Sequence, residues 1–271
     1  GLGIMNIILC IAFLKLVFKH DPFARILACV IYANLVMFPF MYASISWDNL
    51  ANTLSMLGLY LCFAFLQRKT IFLAGCFLAA CGLGMVSKST AMPVFVALFC
   101  IMLAAFYTSR GELFQQFRQA ARSWKGRAAL ATTTLGAVVF LVAFMHFAGL
   151  LATYGSITPS CEQIYSKEQC IENNHIYRKY TKLRSMQAAD PAPLLDPLRH
   201  FFIWSDMMVE KMLGIFAYQS WYPAPSIVAA VELLLLFSLI QLIRTFSTSN
   251  RTLVLLLMVS LFYIAVLYGY V

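Results

Sequence analysis

Two short stretches hold the residue types that phosphate and hydroxyl chemistry needs. In residues 44–52, Asp48, Asn49 and Asn52 place a carboxylate and two amides at the start of an apolar run. In residues 82–93, Lys88 stands between two apolar runs, with Ser87, Ser89, Thr90 and Pro93 around it. A carboxylate in the first setting either caps free N–H groups at a helix start or faces a site where it orients a hydroxyl. A lysine in the second either snorkels to a membrane interface or meets a phosphate as a point charge. Ser89 or Thr90 would cap the run that follows.

Other candidates are scattered. Glu232 lies inside an apolar run, where a carboxylate is costly and must be paired, protonated or part of a site. His146 reads as a packing residue near the end of another run. Arg178, Lys179, Lys182 and Arg184 form a basic cluster that is either a solvated helix face or a phosphate contact. Arg199, His200, Asp206, Glu210 and Lys211 gather near Trp204, Trp221 and Tyr222, as on a carbohydrate-facing rim or an interfacial aromatic belt. Cys161 and Cys170 stand apart from six cysteines embedded in apolar runs. Their polar surroundings favour a disulfide over a metal pair, because no His or Cys partner sits at ligand spacing.

The elements that must position these residues follow from composition. Apolar residues make up 62% of the 271, and charged residues 11%. A soluble domain carries about 25% charged residues. Too few polar side chains exist to cover a water-facing surface, so lipid is the solvent for most of the chain. Backbone groups in lipid must pair internally, which leaves helices or a closed barrel. The apolar runs are continuous and long, whereas barrel strands would be shorter and alternate. The expected fold is an all-α, polytopic membrane helix bundle of about eight transmembrane helices.

The expected spans are 1–18, 26–43, 49–66, 71–87, 91–107, 129–150, 226–243 and 252–270. They divide the chain into a six-helix part (1–150), a large loop (151–225) and a final helix pair (226–271). One set of short loops carries Lys15, Lys19, Arg25, Arg68, Lys69, Arg110, Arg118, Arg122, Lys125, Arg127, Arg244 and Arg251. The opposite set holds only Lys88. The positive-inside rule makes the first set cytosolic and the 151–225 loop extracytosolic. That distribution also accounts for the net charge of +9 without nucleic acid. Within 108–128, Phe114, Phe117, Ala121 and Trp124 recur at helical spacing, as in an amphipathic helix on anionic headgroups. The opening Gly1-Leu2-Gly3-Ile4, already inside an apolar run, reads as the interior of a longer protein.

The order of these features resembles a known family. A span ends near Pro39, and Asp48, Asn49 and Asn52 open the next. A basic turn follows at Gln67, Arg68 and Lys69, then the Gly82, Gly84, Lys88, Thr90, Pro93 stretch. This pattern resembles the polyprenyl-phosphate-dependent GT-C-type membrane glycosyltransferases, with protein O-mannosyltransferase and aminoarabinose transferase relatives nearest. The resemblance is best over 1–107 and is mainly one of layout over 129–271. It implies an inverting transferase, in a bacterial inner membrane, that moves a sugar from a polyprenyl phosphate to a glycan, lipid or protein acceptor on the periplasmic face. In that family the main catalytic acid follows the first span, so the expected base precedes Gly1. Asp48 would orient the acceptor or a divalent metal, and no other cofactor is implied. Lys88, Asn49, Arg199, Arg178 and Lys179 would bind donor and phosphate. Two other classes stay open: a multi-span transporter or flippase, and a non-catalytic envelope-polysaccharide assembly protein. A transporter would show repeats and polar residues near the midplane, whereas polar residues here gather at one rim.

Overall fold

A chain this apolar closes its backbone hydrogen bonds within each segment, and the helices are spaced as that requires. The computed structural model describes residues 1–19, 47–120 and 122–173, together with scattered positions between 22 and 29 and Leu233. Its regular elements there are all helical. They are α1 (Leu2–Val17), α2 (Trp47–Arg68), α3 (Ile71–Ser87), a 3-10 turn (Ser89–Ala91), α4 (Met92–Thr108), α5 (Arg110–Ala120), α6 (Trp124–Tyr154), α7 (Cys161–Ile164) and α8 (Lys167–Asn173). The expected spans at 226–243 and 252–270, nearly all of that at 26–43, and the loop beyond residue 173 lie outside the described residues.

Among the described residues, two helices are long and apolar enough to cross a membrane: Asp48–Arg68 within α2, and α6 with its 31 residues. A third qualifies if α4 and α5 count as one broken span, bent by 82°. Helices α1 and α3 have 16 and 17 residues. At 1.5 Å per residue they measure about 24–26 Å, just under a hydrocarbon core of about 30 Å. Large apolar side chains stay exposed along the bundle, among them Ile8 on α1, Leu83 on α3 and Val142 and Met145 on α6. A surface of that kind suits lipid.

Residues 71–87 and the start of α4 fall where the sequence places them. Thr70 caps α3, its side chain accepting from Leu73 N–H. At α4 the expectation of a Ser89 cap does not hold. Ala91 occupies the cap position, with no side-chain bond, and Pro93 sits in the first helical positions. Proline is preorganised there and lacks an N–H to leave unpaired. The stretch 108–128 is not one helix either. It breaks after Ala120, and Ser123 caps α6 by accepting from Gly126 N–H. Trp124 therefore opens α6, which begins five residues before the expected 129.

The core forms around α3, which packs on α2, α4 and α6. Phe63, Phe65, Phe77, Phe95 and Leu98 are fully buried in it. Small residues let α3 and α6 approach at backbone distance. A Cβ on Gly136 would lie 2.0 Å from the Gly75 carbonyl oxygen, and one on Gly75 would lie 2.5 Å from Thr133 Cα. Thr133 Oγ1 then donates across the contact to Ile71 O, at 2.8 Å. Helices α1 and α2 run in the same direction. Phe13 meets Phe63 edge-on with centroids 5.5 Å apart, and Gln67 Nε2 donates to Leu16 O.

These contacts sort the chain by end. Lys15, Arg68, Lys69, Arg118, Lys125 and Arg127 belong to the end where α1 and α2 finish and α5 lies. The start of α2, the α3–α4 connection and the end of α6 share the other.

Candidate functional site

At that second end the fold joins the two residues singled out first. Asp48 lies in the first turn of α2, where the free N–H groups and the helix dipole favour a carboxylate. Lys88 follows the last residue of α3 in extended conformation, with φ −159° and ψ 123°. The extended residue swings the chain out of α3 before the 3-10 turn, whose Ala91 N–H donates to Lys88 O at 3.0 Å. From there the Lys88 ammonium forms a direct ion pair with Asp48 Oδ1. Forty residues separate the two in sequence. Both side chains are 41% exposed, so the pair stands at a rim and is reachable from outside the bundle.

The first turns of α2 also carry buried polar residues. Asn49 is 4% exposed and Thr53 2%, and Thr53 Oγ1 donates to Asn49 O at 2.7 Å. At the end of α3, Ser87 Oγ donates to Leu83 O at 2.7 Å. Sequence reasoning misses Thr53, and also Asn6, which is 1% exposed within α1. A lone Asn or Thr in an apolar run carries no signal of which neighbour it faces.

An apolar pocket of about 290 Å³ lies beside this rim. Its walls come from the end of α3, from α4, and from the end of α6 with the segment after it: Met85, Met92, Phe95, Phe140, Phe147 and Ile157 among them. Met85 and Met92 flank Lys88 in sequence. The pocket described here is lined by neither charged residue, and 195–222 lies outside the described residues. So do Arg178, Lys179, Lys182, Arg184, Arg199, His200, Asp206, Glu210, Lys211 and Glu232. His146 does not pack inward as expected. It stands on the exposed face of α6, its ring 5.3 Å from that of Phe147.

Past α6 the chain turns at Gly155, whose φ of 68° is the left-handed conformation glycine adopts freely. The next two helices repeat one device. Ser160 and Gln163 cap α7 reciprocally, and Ser166 and Gln169 do the same for α8. Cys161 and Cys170 join these helices in a disulfide with Cα atoms 5.9 Å apart, as the sequence suggested. Among the described residues no three His, Cys, Asp or Glu side chains gather as metal ligands would.

Chemically, Lys88 and Asp48 set a cation against a carboxylate at this rim. An anionic group that takes Lys88 releases Asp48 to accept a hydrogen bond from a hydroxyl. Comparison with family models, curated proteins and solved structures finds no match to the chain.

Proposed function

We propose that the chain is an inverting membrane glycosyltransferase that takes a sugar from a polyprenyl phosphate and passes it to an acceptor on the extracytosolic face. The observation that carries this reading is the Asp48–Lys88 pair, held at one rim beside an apolar pocket. In it Lys88 meets the donor phosphate and stabilises the charge that develops as the sugar leaves, while Asp48, freed from the pair, orients the acceptor hydroxyl.

The wider layout belongs to the same proposal. About eight spans cross a bacterial inner membrane, with the basic end cytosolic. The Asp48–Lys88 rim and the disulfide segment then face the periplasm, the oxidising side on which structural disulfides persist.

The test is binding of undecaprenyl phosphate to the chain in phosphatidylcholine nanodiscs. Wild type should bind saturably, and Lys88→Ala should lose about tenfold or more in affinity, as expected for one charge-assisted contact. Lys88→Arg should recover part of it, since the two cations differ in shape. Lys88→Ala and Asp48→Asn should each shift stability by about 1 kcal/mol or less, because the pair is half exposed. Binding that ignores Lys88 would sink the reading.

A further inference from the structure

Helix α5 has three sectors, and among the described residues one of them packs on the rest of the bundle. Leu113 and Ala120 are buried, and Gln116 is half buried between them. The Gln116 amide grips the turn between α2 and α3 from both sides. Its Nε2 donates to Lys69 O at 2.9 Å, and its Oε1 accepts from Ile71 N–H at 3.3 Å. Glu112 adds an ion pair to Lys69 at 3.7 Å. Lys69 needs that support, since its φ of 48° is the left-handed conformation that non-glycine residues resist.

On the neighbouring sector lie Arg110, Phe114, Phe117 and Arg118, within an arc of roughly 100° at 3.6 residues per turn. All four are exposed. The Arg118 guanidinium stacks 4.6 Å over the Phe114 ring, and Arg110 lies 4.9 Å over Tyr107 at the end of α4. The third sector, Gly111, Gln115 and Gln119, is uncharged. Phe106 near the end of α4 and Trp124 at the start of α6 are exposed aromatics as well. Because α5 is bent 82° from α4, it lies across the bundle where α4 runs along it. A helix in a membrane plane with aromatics inserted and arginines at headgroup depth fits an anionic lipid surface.

We infer that α5 is an in-plane clamp: its Arg110–Phe114–Phe117–Arg118 face seats on an anionic phospholipid surface, and its Gln116 face holds the α2–α3 turn. Headgroup charge thereby sets how firmly that turn is held. Seating on lipid fixes α5, and α5 fixes Lys69 and Ile71 through one amide.

The experiment is amide hydrogen exchange on the full chain in nanodiscs of phosphatidylcholine alone and of phosphatidylcholine with phosphatidylglycerol. Phosphatidylglycerol should slow exchange severalfold in both 110–120 and 68–71. Removing two interfacial bases should weaken attraction to phosphatidylglycerol about thirtyfold, so Arg110→Gln/Arg118→Gln should erase the response. The equally charged Arg122→Gln/Lys125→Gln, off the clamp face, should keep it. Gln116→Ala should keep the response in 110–120 and lose it in 68–71. Equal exchange in the two lipids, equal effects of the two double variants, or a persisting 68–71 response in Gln116→Ala would each overturn the inference.

Discussion

At the scale of single residues, the Asp48–Lys88 pair is out of proportion to what it contributes to folding. A half-exposed ion pair is worth about 1 kcal/mol at most. The fold nevertheless ends α3 on an extended residue and starts α2 on a carboxylate so that the two meet. A lysine that merely snorkelled would need neither. Glu168 shows a carboxylate with an ordinary structural task. Its own backbone N–H, then the Ser166 hydroxyl, then Lys167 hold its carboxyl below the ordinary 4.5. A carboxyl lowered on folding stabilises the folded form above its unfolded value, and that contribution disappears as pH falls through the lowered one. The start of α8 should therefore fray at acid pH, and Glu168→Gln should remove the dependence. Hydrogen exchange of residues 167–170 against pH reads this directly, and an unchanged profile in Glu168→Gln would refute it.

At the scale of elements, glycines let α3 and α6 meet at backbone distance. Gly136→Ala should cost about 1–3 kcal/mol, because its Cβ has only the Gly75 carbonyl to push against. Gly111→Ala meets nothing within 4 Å and should stabilise the exposed helix α5 by about 0.5–1 kcal/mol. Thermal unfolding in one detergent compares the two, and the same sign for both would refute the packing argument. This contrast also marks what is legible in the sequence. Helix limits such as 71–87 can be read, because Thr70 and Pro93 act on the backbone locally. The tandem Ser160–Gln163 and Ser166–Gln169 boxes are equally local, yet the sequence reading does not include them. Asp48 and Lys88 can be singled out by type and place, but their meeting depends on how α2 and α3 lean together. Gln116 gives no sign, since an amide bonded to a backbone 45 residues away looks like any polar residue on an amphipathic helix. That α5 ends at Ala120 and α6 starts at Trp124 is hidden because Phe114, Phe117 and Trp124 keep a helical spacing between them.

At the scale of the whole molecule, charge and covalent chemistry divide the bundle between its ends. Lys15, Arg68, Lys69, Arg118, Lys125 and Arg127 share one end, while Lys88 and the Cys161–Cys170 disulfide belong to the other. Basic residues are retained on the cytosolic side, and structural disulfides persist on the oxidising side. Both tendencies predict one orientation, with the basic end cytosolic, and labelling tests it. Helix α6 connects the two ends. Its 31 residues span about 46 Å at 1.5 Å per residue, enough to cross a core of about 30 Å with a turn or more projecting at each side. Cysteines placed near its two ends should therefore differ in access. In intact cells a membrane-impermeant thiol reagent should label Thr153→Cys, in the last turn of α6, above the wild-type background. Gln119→Cys, shortly before α6 begins, should be labelled only after permeabilisation. Both positions are exposed, so burial does not decide the outcome. The reverse pattern would invert the orientation and put the Asp48–Lys88 rim in the cytosol, away from any acceptor on the outer face. Equal labelling of both would mean that α6 does not cross, and the bundle would have to lie on the membrane instead of in it.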